Sequence, residues 1–308
     1  MGSMGWHEPE LQTVPAEGGE LTVGRWGTGS QLVVACHGIT ANHRSFGAVA
    51  AALTARDADV SLYAVDHRGR GGSSGLPGPF GLGAHARDVV AVLDHLGVTG
   101  MAPAVLVGHS MGAYVAANAA ELAGDRVGGV VLIDGALPIA VELPADTPIE
   151  AVVRSVIGPA LDRLDATFTS PDDYVAMWRE HPAVGGTYFN DVAEAYVRYD
   201  LVEDGGAWRS PVNKQAVLVD GASVLQDERA RSAVERIGTP TTLLWAPRGL
   251  LDQTPGLLPP EVVAAALPRL PHVRARRIDD VNHYSVLLGE RGAAAVADAI
   301  IECAGPRT

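Results

Sequence analysis

Val105-Leu106-Val107-Gly108-His109-Ser110-Met111-Gly112 decides how this chain is read. An apolar run with strand character ends in G-x-S-x-G, and a helical run, Met111–Ala123, follows at once. A turn that sharp holds Ser110 in a strained backbone conformation, and Gly108 and Gly112, lacking Cβ, let strand and helix approach closely. It lifts the Ser110 hydroxyl off the strand end and sets it at a helix N-terminus, where the Met111 N–H and the helix dipole stabilise a developing oxyanion. An ordinary strand–helix turn with a serine N-cap carries the same five residues. The surroundings favour the nucleophile.

Around this turn, short apolar runs alternate with helical ones, the pattern of a mostly parallel sheet flanked by helices on both faces, an α/β fold. The strands are read at Glu20–Trp26, Gln31–Cys36, Val60–Val65, Ala104–Val107 and Val127–Ile133, with helical spacing at Ser45–Arg56, Gly83–Leu96 and Met111–Ala123. The last four strands are nearly continuous apolar runs, as expected when both faces are buried. After Asp134 the pattern changes. Residues 136–236 show helical stretches and no buried strand, with Pro138, Pro144 and Pro148 at the entry and Gly238-Thr239-Pro240 at the return. Thr241–Trp245 and Val273–Ile278 resume the strands, and Gly292–Cys303 closes as a helix. The expectation is a core of residues 1–135 and 237–308 with a mainly helical cap inserted at 136–236.

The bulk numbers agree with one large α/β domain: 308 residues, 47% hydrophobic. A net charge of −13 disfavours nucleic acid and anionic membrane surfaces as partners and suits a small neutral substrate. No apolar run approaches the ~20 residues of a membrane helix. Met1-Gly2-Ser3-Met4 has neither the basic nor the apolar region of a signal peptide and reads as a cloning remnant ahead of Met4. The expected address is the cytoplasm, with a homodimer left open. Cys36 and Cys303 are expected as free thiols. No histidine spacing resembles a metal site, and no cofactor is expected. Gly69-Arg70-Gly71-Gly72 lacks the spacing of a phosphate loop and reads as a structural turn.

In order along the chain stand His37-Gly38 after an early strand, Asp66-His67-Arg68-Gly69-Arg70-Gly71-Gly72-Ser73, the turn at Ser110, and Asn282-His283-Tyr284 after the last strand. Together they resemble the α/β-hydrolase family over almost the whole chain. The resemblance implies a serine hydrolase in which Ser110 is the nucleophile and the second oxyanion N–H comes from Ile39, the residue after His-Gly. His37 itself is expected behind that loop, packing and hydrogen-bonding. His283 is the expected general base, because position and resemblance agree: it follows a strand whose C-terminal end faces the Ser110 turn. His109 is expected to line the pocket.

A third group must orient the imidazole, and here the chain departs from the family pattern. Trp245-Ala246-Pro247-Arg248-Gly249 places glycine where the family's acid usually stands. Asp252 serves only if the loop carries an insertion. Some family members use a carboxylate at the preceding strand end, 24 residues beyond the nucleophile, which is Asp134. Asp134 is preferred and Asp252 is the alternative. Asp279 and Asp280 are too near His283 in sequence to reach around its ring.

Eight of the sixteen aromatic residues fall in 136–236. Most belong in a small helical core, but a cap over the Ser110 turn must present some rings to the cleft, and Trp178 and Tyr188 are the expected liners. The implied activity is hydrolysis of a carboxylic ester or lactone of a largely apolar small molecule. Thioesterase, carbon–carbon bond hydrolase and ligand receptor with weak hydrolysis remain the alternatives.

Overall fold

The apolar runs on either side of Ser110 lie at the centre of an eight-stranded sheet. The structure, a computed structural model, describes residues 6–139, 144 and 146–305, so the opening four residues lie outside it. The strands are β1 (Glu10–Ala16), β2 (Gly19–Trp26), β3 (Gln31–Cys36), β4 (Val60–Val65), β5 (Ala104–His109), β6 (Val127–Ile133), β7 (Val202–Asp204), β8 (Ala207–Arg209), β9 (Thr241–Trp245) and β10 (Val273–Arg277). The helices are α1 (Gly47–Thr54), α2 (Leu82–His95), α3 (Met111–Ala123), α4 (Ile149–Asp165), α5 (Pro171–Arg179), α6 (Asp191–Tyr199), α7 (Lys214–Gln226), α8 (Glu228–Arg231), α9 (Pro260–Ala266), α10 (Ser285–Leu288) and α11 (Glu290–Ala304).

The sheet runs β1-β2-β4-β3-β5-β6-β9-β10. β1 and β2 are antiparallel to each other, and β2 is antiparallel to β4; every other pairing is parallel. The expected mostly parallel α/β sheet is therefore present. Side chains alternate between two cores, not between core and water. Val33, Ala35, Val105, Val107, Val131 and Ile133 face α1 and α11, whereas Val34, Cys36, Leu106, Val130 and Leu132 face α2 and α3. That is why these strands read as unbroken apolar runs.

Three strands go beyond the sequence reading, β1 and the short β7 and β8. β1 sits at the sheet edge with only Val14 buried, so its residues carry no apolar alternation to read. Cys36 and Cys303 are free, as expected.

β6 and β9 are neighbours in the sheet, with Val130 opposite Thr241. The chain between them contributes α4 to α8 and the β7–β8 hairpin. Tyr174, Trp178 and Tyr196 of α5 and α6 join the core on the α1 and α11 side. Val153, Ile157, Leu161, Val212 and Val217 form a smaller cluster, against which Ile39 and Leu250 pack. α4 is interrupted at Ile157, with φ −126° and ψ 27°, just before Pro159.

Candidate active site

Parallel strands deliver their C-terminal ends to one edge of the sheet, and three chemistry-bearing side chains meet there. Ser110 follows β5 with φ 56° and ψ −122°, a left-handed conformation that costs a non-glycine residue energy and persists only where the surroundings enforce it. They do. A Cβ on Gly108 would collide with the Gly112 carbonyl, one on Gly112 with the Cys36 carbonyl, and one on Gly135 with the Ser110 carbonyl. The Ser110 N–H donates to Ile133 O at 2.9 Å. Although Ser110 occupies the N-cap position of α3, its side chain makes no capping bond. The hydroxyl is thus not consumed by the helix, against the ordinary N-cap reading.

His283 lies beyond β10, and its Nδ1 is 2.7 Å from Asp134 Oδ2. Asp134 follows β6 with φ 46° and is fully buried. Its other oxygen accepts the Ala246 N–H at 3.1 Å, and its own N–H donates to Leu244 O at 2.7 Å. The carboxylate is therefore aimed by the strand it ends and by the neighbouring strand. Asp252, the alternative acid, is elsewhere: its Oδ1 accepts from Asn282 Nδ2 at 2.8 Å and pairs with Arg248 Nε at 3.2 Å. At Gly249 the space that a side chain would take is filled by the Gln253 amide.

Gly38 faces the Ser110 turn: a Cβ on it would stand 3.3 Å from Ser110 Cβ. The Gly38 carbonyl accepts from His37 Nδ1 at 2.7 Å and from the Ala41 N–H at 3.1 Å. His37 Nε2 accepts the His67 N–H at 3.1 Å, which fixes the tautomer with its proton on Nδ1. Pinning that carbonyl orients the whole peptide plane, whose other end is the Ile39 N–H, directed the opposite way. Among the described residues no protein acceptor occupies the Ile39 or Met111 amide. Burial lowers the His37 pKa to about 4, so the ring stays neutral.

The Ile39 carbonyl is held in turn. Arg70 Nε donates to it at 2.9 Å, and Arg70 Nη1 lies 2.5 Å from Asp220 Oδ2 on α7. His85 Nε2 is 2.8 Å from the same oxygen, and the Gly81 N–H donates to Oδ1 at 2.5 Å. Burial alone would raise the Asp220 pKa, but Arg70 and His85 hold it well below the carboxylate range. From the other side Arg163 of α4, paired with Asp200, donates through Nη2 to Thr40 O at 3.3 Å. Two buried arginines thus join this loop to the helices between β6 and β9.

Ser110 and His283 line two adjoining cavities of about 50 and 40 Å³, enough in each for a few waters. His109 lines the second, donating through Nε2 to His283 O at 2.8 Å, with its ring 4.6 Å from that of His283. Burial, then the adjacent His283, keeps the His109 pKa far below its usual value. Trp178 and Tyr188 do not line either cavity, contrary to expectation. Trp178 packs in the core among Tyr174, Tyr196 and Tyr284 and borders a neighbouring surface cavity. Tyr188 is turned to the 248 loop, its hydroxyl accepting from Arg248 Nη2 at 2.8 Å. The walls are instead mainly aliphatic, with Val153, Ile157 and Leu250 among them. No group of three His, Cys, Asp or Glu side chains among the described residues is placed to hold a metal ion, and no helix among them is long and apolar enough to cross a membrane.

Comparison with known proteins agrees with this fold. Lipase LipV of Mycobacterium tuberculosis (strain ATCC 25618 / H37Rv) is 29% identical over 255 residues, which is 82% of this chain and 86% of the lipase. The thioesterase domain from the curacin biosynthetic pathway superposes with a TM-score of 0.72 at 20% identity, covering 96% of this chain and 99% of that one. A thermophilic esterase from Thermogutta terrifontis gives 0.65 at 22%, covering 96% and 99%. At such identities the two structures speak for the fold alone. The model of the alpha/beta hydrolase family matches residues 33–299, most of the chain, and with the strand order and the Ser110 turn this places the chain in the alpha/beta hydrolase family.

Proposed function

We propose that this hydrolase cleaves a carboxylic ester or lactone of a largely apolar small molecule through an acyl-enzyme on Ser110. The observation that carries the reading is the 2.7 Å contact between His283 Nδ1 and the buried Asp134, with Ser110 on the same cavity wall. With Nδ1 engaged, Nε2 is the ring nitrogen left to take the Ser110 proton as Oγ attacks the carbonyl carbon. Asp134 keeps the ring in that tautomer and stabilises the imidazolium. The Ile39 and Met111 N–H groups receive the oxyanion. Collapse of the tetrahedral intermediate expels the alkoxide, which takes the proton from Nε2 and leaves as the alcohol. Water, deprotonated by the same nitrogen, then hydrolyses the acyl-serine. Residues 136–236 act as the cap that closes this site. The aliphatic walls favour an apolar substrate.

The test is stopped-flow hydrolysis of p-nitrophenyl butyrate. A burst of nitrophenol equal to the enzyme concentration, followed by steady turnover, is the expected result. Single turnover without a steady state would point to a receptor, and no release at all would reject the reading.

A further inference from the structure

Ser110 and His283 stand where two cavities join, one of them richer in hydroxyl groups. One is walled by Ile39, Met111, Val153, Ile157, Val224 and Leu257, and the hydroxyl of its one tyrosine, Tyr114, is spent on Leu137 O. The other is lined by five hydroxyl-bearing residues, Ser110 itself and with it Thr40, Ser45, Tyr196 and Tyr284, beside Leu287 and Leu288. Ser45 is 5% exposed, and its Oγ has no hydrogen-bond partner. The phenols of Tyr196 and Tyr284 make no hydrogen bond to a described residue either. Buried polar groups in folded proteins are otherwise paired. The buried, unpaired Ser45 Oγ, with these two phenols beside it on the cavity wall, marks a place where the partner arrives with a ligand.

The wall is built from both sides of the site and held together. Ser45 lies in the turn His43–Phe46, whose N-cap Asn42 donates through Nδ2 to the backbone oxygen of Tyr196 on α6 at 3.2 Å. The same Asn42 caps the turn through Oδ1, which accepts the Arg44 N–H at 3.0 Å. Ser45 and Tyr196 therefore keep their spacing as long as α6 stays docked.

The lobe offers hydroxyls and no net charge. Burial holds the phenols of Tyr196 and Tyr284 protonated, and it holds His109 neutral. Arg163, the cation both phenols feel, is already paired with Asp200. A carboxylate would find no free counter-charge here and would lose its hydration. A hydrocarbon would leave the hydroxyls of Ser45, Tyr196 and Tyr284 unpaired. A neutral oxygen meets neither penalty.

We propose that Ser45, Tyr196 and Tyr284 form a subsite for a neutral hydrogen-bonding oxygen, hydroxyl or carbonyl, on one arm of the substrate, while the aliphatic lobe takes the other arm. This rests on the reading of Ser110 as the nucleophile of an ester hydrolase. A site built to bond such an oxygen discriminates against the analogue that lacks it, because its own groups are then left unpaired.

The experiment compares straight-chain esters with the same esters carrying a ketone or hydroxyl at successive carbons. One series varies the acyl arm as p-nitrophenyl esters; the other varies the alcohol arm as butanoates. In one series, a member should exceed its hydrocarbon parent in kcat/KM by about three- to tenfold for each hydrogen bond gained. Ser45→Ala and Tyr196→Phe should each bring that ratio back toward one. Because the readout is a ratio on one preparation, any loss of folded or active enzyme cancels. If no oxygenated ester outruns its parent in either series, or if the preference survives both substitutions, the subsite is wrong. Failure of the hydrocarbon parents themselves to turn over would instead overturn the ester reading on which it rests.

Discussion

His283 Nδ1 lies 2.7 Å from Asp134 Oδ2, and the two residues are 149 positions apart in the chain. The contact joins the loop after β10 to the end of β6, and a second hydrogen bond, from the Ala246 N–H, fixes the carboxylate. If this pair orients the base, Asp134→Asn should preserve the geometry, favour the wrong tautomer and cost on the order of 10⁴ in kcat, by analogy with serine proteases. Asp252→Asn, which touches Asn282 and Arg248 instead, should cost about tenfold or less. Steady-state kinetics on both variants decides between them, and the reverse ordering would reassign the acid.

Arg70 and Asp220 are both fully buried and 2.5 Å apart. Removing one partner strands the other charge, so Arg70→Met should destabilise the chain by about 3–5 kcal/mol in urea unfolding. Arg70→Met combined with Asp220→Leu should recover much of that loss. Additive single and double effects would show that the pair does not act as a unit.

Several histidines are held as neutral rings, His37, His67 and His109 buried and His181 half-buried. Burial takes His37 and His181 down to about 4, and His67 and His109 well below their usual value. Between pH 6.5 and 4 the unfolded chain binds protons at these rings that the folded chain refuses, so stability falls as pH falls. For His37 alone the loss is on the order of 3 kcal/mol across that window. The depressed carboxyls of Asp66 and Asp220 act in the same direction at lower pH. Thermal melts from pH 8 to 4 should show Tm flat above about 7 and dropping steadily below 6.5. A Tm that rises between pH 6.5 and 4.5 would contradict the buried neutral rings.

The Ser110 turn, the place of His283 after a strand and the parallel sheet were legible because each leaves a local trace. Gly108 and Gly112 flank Ser110, β3 to β6 are apolar runs, and His283 follows a strand. Asp134 was legible only as one of two candidates, since a strand-end aspartate looks the same whether it holds a loop or a histidine. β1 left no trace because its residues face water at an edge. Trp178 and Tyr188 were misplaced for a related reason: an aromatic count in residues 136–236 does not say which face of a helix is turned to the cleft, and the α1 and α11 core took Trp178. The Arg70–Asp220 pair spans 150 positions, and nothing in either residue's neighbourhood announces the other. Ser45 was silent because an unpaired hydroxyl is a property of its surroundings, not of its sequence.

The central claim is that Ser110 is the nucleophile, and covalent labelling tests it most directly. A fluorophosphonate should add once per chain, and peptide mass spectrometry should place the adduct on Ser110. Ser110→Ala should take no label and should lose several orders of magnitude in kcat while keeping its fold. An adduct on any other residue, or an alanine variant that retains more than about a tenth of the wild-type kcat, would contradict the account.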